Sequence, residues 1–343
     1  MKKLLNTIFV TTHGAYLFKE GETVVVKVED EVKMSVPIHT IGGIVCFGQV
    51  SLSPPLMNFC AENNVAVSFL TENGYFLAKV QGYISGNVLL RREQYRLADD
   101  ASVSGRIAKF ILTAKFANCR TALQRALRDH EEKINTDDVR KASERITGSL
   151  KRLDMDLDLD ALRGLEGDTA HSYFEAFDHL IVAQKENFFF KERSRRPPLD
   201  NVNCLLSFLY TLLMHDVRSA LETVGLDSAV GFLHRDRPGR PGLALDLMEE
   251  FRPYFADRLA LSLINLGQVK GNGFKKSDSG GVLMDDDTRK TVLVAYQSRK
   301  QDDITHPFLN EKMNVGLLFY VQALLFARYL RGDLDGYPAF IWK

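Results

Sequence analysis

The sequence predicts an α+β protein: a small β-rich N-terminal domain over residues 1–86, then a larger all-α domain over 87–343. Three observations carry this reading. Up to about residue 86 the apolar residues come in short β-branched or aromatic runs separated by turn signals. Beyond Gly82 and Gly86 they recur at spacings of three and four, the period of an amphipathic helix. With 45% hydrophobic and 26% charged residues in 343, the chain has enough apolar material to bury a sizeable core in two domains.

The strand runs are Ile8–Thr11, Tyr16–Phe18, Thr23–Val28, Val32–Val36, Ile44–Phe47 and Val65–Leu70, with His13-Gly14 and Glu20-Gly21 as turns. Ser53-Pro54-Pro55 supplies an N-cap and an N1 proline, so one short helix runs through Glu62. Asn73-Gly74 reads as a hairpin turn into a last strand, Tyr75–Val80. The helical runs pass through Ile107, Phe110, Ile111, Ala114 and Ala117. They continue over Tyr173–Ala183, Val202–Val224, Phe255–Leu266, Thr288–Gln297 and Val315–Leu330.

The 44 basic residues balance 44 acidic ones, which sets the chain apart from highly charged disordered proteins; any case for nucleic-acid binding rests on local clustering. Four cysteines, at 46, 60, 119 and 204, form no CxxC pair or zinc spacing and read as free, buried thiols of a reducing cytoplasm. MKKLLNTIFVTTHG starts like a signal peptide, but Asn6 and Thr7 break its apolar run and no small-residue cleavage site follows. No window reaches the ~20 apolar residues of a membrane span. A cytoplasmic protein without membrane association is the expectation. The alternating run Leu153–Asp160 imitates a calcium loop at Asp154, Asp156 and Asp158, but Leu159 and Leu165 stand where that loop needs Gly and Glu. It reads as an acidic, solvent-facing connector.

No Walker loop, GxSxG elbow, HExxH helix or dinucleotide fingerprint is present. The remaining candidates are Glu166, His234, Asp246 and Glu249. Glu166 falls just before the apolar helical run that includes Tyr173, Phe174 and Phe177. If Ala244–Phe251 is helical, Asp246 and Glu249 stand three apart on one face, and the Pro238–Gly242 loop lets the chain double back toward His234. Carboxylates with an imidazole suit Mg²⁺ or Mn²⁺, and such an ion activates a phosphodiester. The residues alone leave plainer readings open: a capped surface turn ending in Arg252, a helix-start acid at 166, a structural histidine at 234. Basic residues cluster in three places suited to phosphate contacts: Lys191, Arg193, Arg195 and Arg196; Arg235, Arg237 and Arg240; Lys270, Lys275 and Lys276.

The order of these features resembles a known family. LEG with a following YF pair, then RRPPLDNVNCLLSFLYTLL, GFLH and DLMEEFRP, resembles the CRISPR-associated spacer integrases, the larger of the two universal adaptation proteins. The closing YPAFIWK is most similar to the type I-C form. The resemblance implies a metal-dependent DNA endonuclease and integrase with Mg²⁺ or Mn²⁺ held by Glu166, His234 and Glu249. Asp246 matches a further acid needed for activity, orienting the site or holding a second ion. Arg237 and Arg252 match positions that contact DNA in relatives, and Arg195, Arg196, Arg240, Lys275 and Lys276 extend the expected DNA-binding set. The expected partners are spacer DNA, the CRISPR repeat, a second copy of this chain paired through the β domain, and a small ferredoxin-like adaptation subunit. Two other readings use the same residues: a metal-dependent nuclease on branched DNA in repair, and a non-catalytic DNA-binding scaffold.

Overall fold

The computed structural model describes residues 6–71, 76–80, 82, 88–278 and 280–342. The chain divides into two compact units, one formed by residues up to 85 with 296–301, the other by 86–295 with 302–343. The expected Asn73-Gly74 turn lies outside the described residues.

The first unit holds two four-stranded sheets. One has the order β1-β5-β7-β8, built from Asn6–Val10, Ile41–Phe47, Ala66–Leu70 and Phe76–Val80, with β5 parallel to both neighbours. The other has the order β4-β3-β2-β6, built from Glu31–Pro37, Thr23–Val28, Tyr16–Glu20 and Ser51–Leu52. The β3–β4 turn puts Glu29 and Asp30 at φ 47° and 68°, the two positive values that suit the twist of a tight hairpin. Helix α1, Pro54–Glu62, starts where expected: the Leu56 amide donates to the Ser53 hydroxyl over 3.3 Å. Leu17, Val24, Ile44, Cys46, Leu56 and Val67 share one apolar core.

The second unit is a helical assembly around α3, Ala101–Asp129, which packs on α4 (Thr136–Arg152) and α5 (Leu159–Phe177). Helix α2 is Val88–Asp99; α6 is Asn201–Thr223, α7 Gly242–Met248, α8 Arg258–Asn265 and α9 Asp286–Lys300; α10, Val315–Leu330, packs on α6. Caps at Asp100, Asn135, Asp158 and Asp200 take the first free amides of α3, α4, α5 and α6. Asp154, Asp156, Asp158 and Asp160 are all exposed, and Asp158 serves as the α5 cap. All four cysteines are free and buried. Among the described residues no helix is long and apolar enough to cross a membrane.

The structure departs from the sequence reading in three places. Two short ribbons, β9–β10 (Phe274–Lys276 with Val282–Met284) and β11–β12 (Asp303–Thr305 with Lys312–Asn314), interrupt the region expected to be all helix; three-residue strands are too short to show a period of two. Helix α5 begins at Leu159, so Glu166 stands inside a helix rather than just before one. The helix expected over Ala244–Phe251 is α7, ending at Met248, and a π-turn over Arg252–Asp257 precedes α8. Pro253 lacks the amide that a continuing α-helix would use.

Candidate metal and phosphate site

The site begins with two backbone stretches pressed together. The amides of Gly242 and Leu243 donate to the carbonyls of Ala229 and Ser228 over 3.0 and 3.1 Å, so the Pro238–Gly242 loop does return the chain on itself. Glycine is required on both sides. A Cβ at Gly231 would lie 2.7 Å from the Gly242 carbonyl carbon, and one at Gly242 would lie 2.6 Å from the Ala229 oxygen. This approach aims three successive amides at one buried carboxylate. Phe232 and Leu233 donate to Asp246 Oδ2 over 2.6 and 3.0 Å, and His234 donates to Oδ1 over 2.9 Å. The His234 ring then adds Nδ1, 2.6 Å from the same Oδ1.

Because a carboxylate only accepts, the hydrogen of that contact sits on Nδ1, and in the neutral ring the lone pair is on Nε2. Asp246 is fully buried, and both of its oxygens are taken by these four groups. Arg163 on α5 donates from Nε to the Leu233 carbonyl over 2.7 Å, tying α5 to the residue before the histidine.

Glu166 and Glu249 meet on a residue that the sequence reading did not select. Lys115 projects from the middle of α3, 6% exposed, and pairs with Glu166 Oε1 and, over 2.8 Å, with Glu249 Oε2. Arg252 Nη1 holds the other oxygen of Glu249 over 2.7 Å. Burial opposes charge on Glu249, but Arg252, Lys115 and His234 outweigh it and hold its carboxyl down at about 2. Burial also opposes charge on Lys115, and the two glutamates reverse that effect, so its ammonium stays protonated. A signal for Lys115 was present: it stands four residues after Ile111 and four before Cys119, on the buried stripe of α3.

Arg252 is braced further by the ring of Tyr210, 4.8 Å below its guanidinium, and Tyr210 donates to Asp257 over 2.6 Å. Burial raises Asp257 to about 6, the Tyr210 bond notwithstanding.

The expected phosphate contacts fall into two groups. Arg237 and Arg240 lie in the loop after His234; burial and the neighbouring Arg237 push Arg240 down, with Arg195 and Arg163 adding like charge. Arg195 and Arg196 are exposed, as are Lys275 and Lys276 on the β9 strand. Arg252 differs from all of these, since its charge is already engaged by Glu249.

Among the described residues no three His, Cys, Asp or Glu side chains stand together as a ready metal cage. The donor chemistry nevertheless fits a hard divalent ion. Two carboxylates converge on one cation, and the ammonium of Lys115 is the charge that Glu249 Oε2 faces within the protein.

The family model for the CRISPR associated protein Cas1 matches residues 8–298, a span that includes Lys115, Glu166, His234, Asp246, Glu249 and Arg252. The chain belongs to the Cas1 family. The Cas1 relative in Chlorobaculum tepidum, described as a CRISPR-associated endonuclease Cas1, is 55% identical over 343 residues, all of both chains. Two solved structures share the fold. A casposase bound to integration product superposes with a TM-score of 0.84 at 22% identity, covering 99% of this chain and 95% of that one. A chain of a Cas6-RT-Cas1–Cas2 complex superposes with a TM-score of 0.83 at 20% identity, covering 100% of this chain and 36% of that one.

Proposed function

We propose that this chain is a metal-dependent DNA endonuclease and integrase that joins short DNA fragments into a CRISPR array. The observation that carries the reading is the convergence of Glu166 and Glu249 on one buried cation, with a histidine fixed by Asp246 near enough to act electrostatically on Glu249. Glu166, His234 and Glu249 would hold the divalent ion. When bound, that ion supplies Lewis-acid stabilisation of the charge that builds on a phosphodiester under attack.

The chain's own residues do the rest. Asp246 fixes the His234 tautomer so that Nε2 serves as the acceptor; with both oxygens occupied, it orients and does not hold a second ion. Arg163 keeps the His234 loop against α5. Arg237, Arg240, Arg195 and Arg196, with Lys275 and Lys276, bind backbone phosphates and relieve their mutual repulsion by doing so. Arg252 holds Glu249 ionised, and its own approach to DNA requires leaving that carboxylate.

In the joining step the 3′-hydroxyl of the fragment attacks a repeat phosphodiester. One P–O bond forms, one breaks, and a strand with a free 3′-hydroxyl leaves. No protein nucleophile is needed. The partners of this reading are a second copy of the chain, docked through the first unit, and the small adaptation subunit. Support for the latter is family membership together with the fold shared with a chain of a Cas1–Cas2 complex.

The test is strand joining on a labelled fragment and a repeat-bearing duplex in Mg²⁺ or Mn²⁺. Glu166→Ala, His234→Ala and Glu249→Ala are each expected to abolish joined product, and EDTA to stop the unaltered protein. Joining at the normal rate by any of the three variants removes that residue from the site. Cleaved fragments without joined strands from the unaltered protein would point instead to a nuclease using water.

A further inference from the structure

Lys115 is absent from the acid–histidine set, yet it is the group on which that set converges. Its ammonium reaches Glu166 from α5 and Glu249 from beyond α7, and the residue is buried from solvent. Those two carboxylates and the two cations beside them, Lys115 and Arg252, carry −2 and +2, so the cluster is neutral as it stands. A divalent ion added with both cations in place would leave +2 beside the buried Lys115 and Glu249, where charge is poorly screened.

One of the two must yield. Arg252 grips the oxygen of Glu249 that Lys115 does not, forms no ion pair with Glu166 among the described residues, and lies over the Tyr210 ring. Lys115 occupies the space between the two acids. It is also a point charge on a flexible four-carbon stem, able to retract without breaking a paired fork of hydrogen bonds.

We propose that Lys115 is the resident cation of this site, occupying the position between Glu166 and Glu249 that a divalent ion takes, and that the ion binds by displacing it. This rests on the metal reading given above. Lys115 thereby keeps two acids from two separate segments, α5 and the end of α7, assembled and neutral before the ion arrives, at the cost of competing with it. A merely structural lysine behaves differently: removing it loosens the site and weakens ion binding.

The experiment is calorimetric titration of Mn²⁺ into the full chain and into Lys115→Met, which keeps an unbranched side chain, one atom shorter, and removes its charge. Melting in EDTA and in Mn²⁺ runs in parallel. Lys115→Met is expected to bind Mn²⁺ on the order of tenfold tighter or more, because the ion no longer competes with the ammonium for Glu166 and for the Glu249 oxygen that Arg252 leaves free. The same variant is expected to melt lower in EDTA and to gain more from Mn²⁺ than the unaltered chain. Equal or weaker binding by Lys115→Met, with uptake by the unaltered chain intact, overturns the displacement proposal and leaves the metal reading standing. Absence of uptake by both overturns the metal reading and this one with it.

If Lys115→Met does not fold in EDTA, the comparison moves to Glu166→Gln with and without Lys115→Met, since one acid fewer needs neutralising. The double variant is then expected to bind more tightly than Glu166→Gln alone, and the reverse order overturns the proposal.

Discussion

Residues 6–80 and the stretch from Gly231 to Asp257 bury their side chains on opposite principles. In the first, Leu17, Val24, Ile44 and Leu56 are wholly enclosed, and among the described residues Ser53 is the one buried polar side chain, its hydroxyl spent on a helix cap. In the second, Asp246, Glu249, Glu250 and Asp257 are all 2% exposed or less. Apolar burial stabilises by roughly 25 cal/mol per Å², whereas each buried ion costs several kcal/mol before pairing returns part of it. The β-rich core therefore contributes stability directly. The charged region holds its acids against that cost through the amides, Lys115 and Arg252 brought to them.

The sharpest way to break the comparison is to delete one anchor from each region. Asp246→Ala strips the acceptor from three buried amides and the His234 ring, and is expected to cost roughly 3–6 kcal/mol in urea unfolding and to abolish strand joining. Leu17→Ala is expected to cost about 3 kcal/mol through its cavity while the folded protein still joins strands. Loss of joining by folded Leu17→Ala, at a temperature where it stays native, contradicts the division of labour.

A smaller effect is expected from pH. Asp257 is raised from 3.8 to about 6, so the folded chain keeps its proton where the unfolded chain has released it. The associated stability is present below about pH 4 and is lost as pH rises through about 6. Burial raises Glu250 from 4.5 to about 7, which adds a decline of the same sign. Glu249, lowered from 4.5 to about 2, has the opposite sign: its contribution is present above about 4.5 and is lost as pH falls through 2. Asp257→Asn should therefore make the decline in stability between pH 4 and 6 shallower, by on the order of 1–3 kcal/mol. An unchanged slope in a series of urea melts would show that Asp257 ionises freely in the folded chain.

The smallest effect on stability belongs to the exposed arginines. Arg195→Ala with Arg196→Ala should shift stability by no more than about 0.5 kcal/mol. The same change should reduce the salt slope of DNA binding by roughly two units, measured by fluorescence anisotropy over a range of NaCl. A slope that does not move takes both residues out of the phosphate interface.

Local chemistry in the sequence was sufficient for the elements whose signals lie close together along the chain. Ser53 with Pro54 and Pro55 starts α1, and the spacing of apolar residues marks α6 and α10 to within a residue. The glycines around Pro241 announced the return of the chain beside His234, and the capping residues Asp100, Asn135, Asp158 and Asp200 were there to be read, although only Ser53 was. Strands of three residues left no periodic trace. What only the tertiary structure decided was which charges meet. A period of three and four fixes that Lys115 faces inward, but it carries no information about which helix lies opposite. The partners of Lys115 are 51 residues away at Glu166 and, by subtraction of their numbers, 134 away at Glu249. Coulomb attraction acts through space and strengthens as water is excluded, so its pairs are set by the packing of α3, α5 and α7, after each helix has formed.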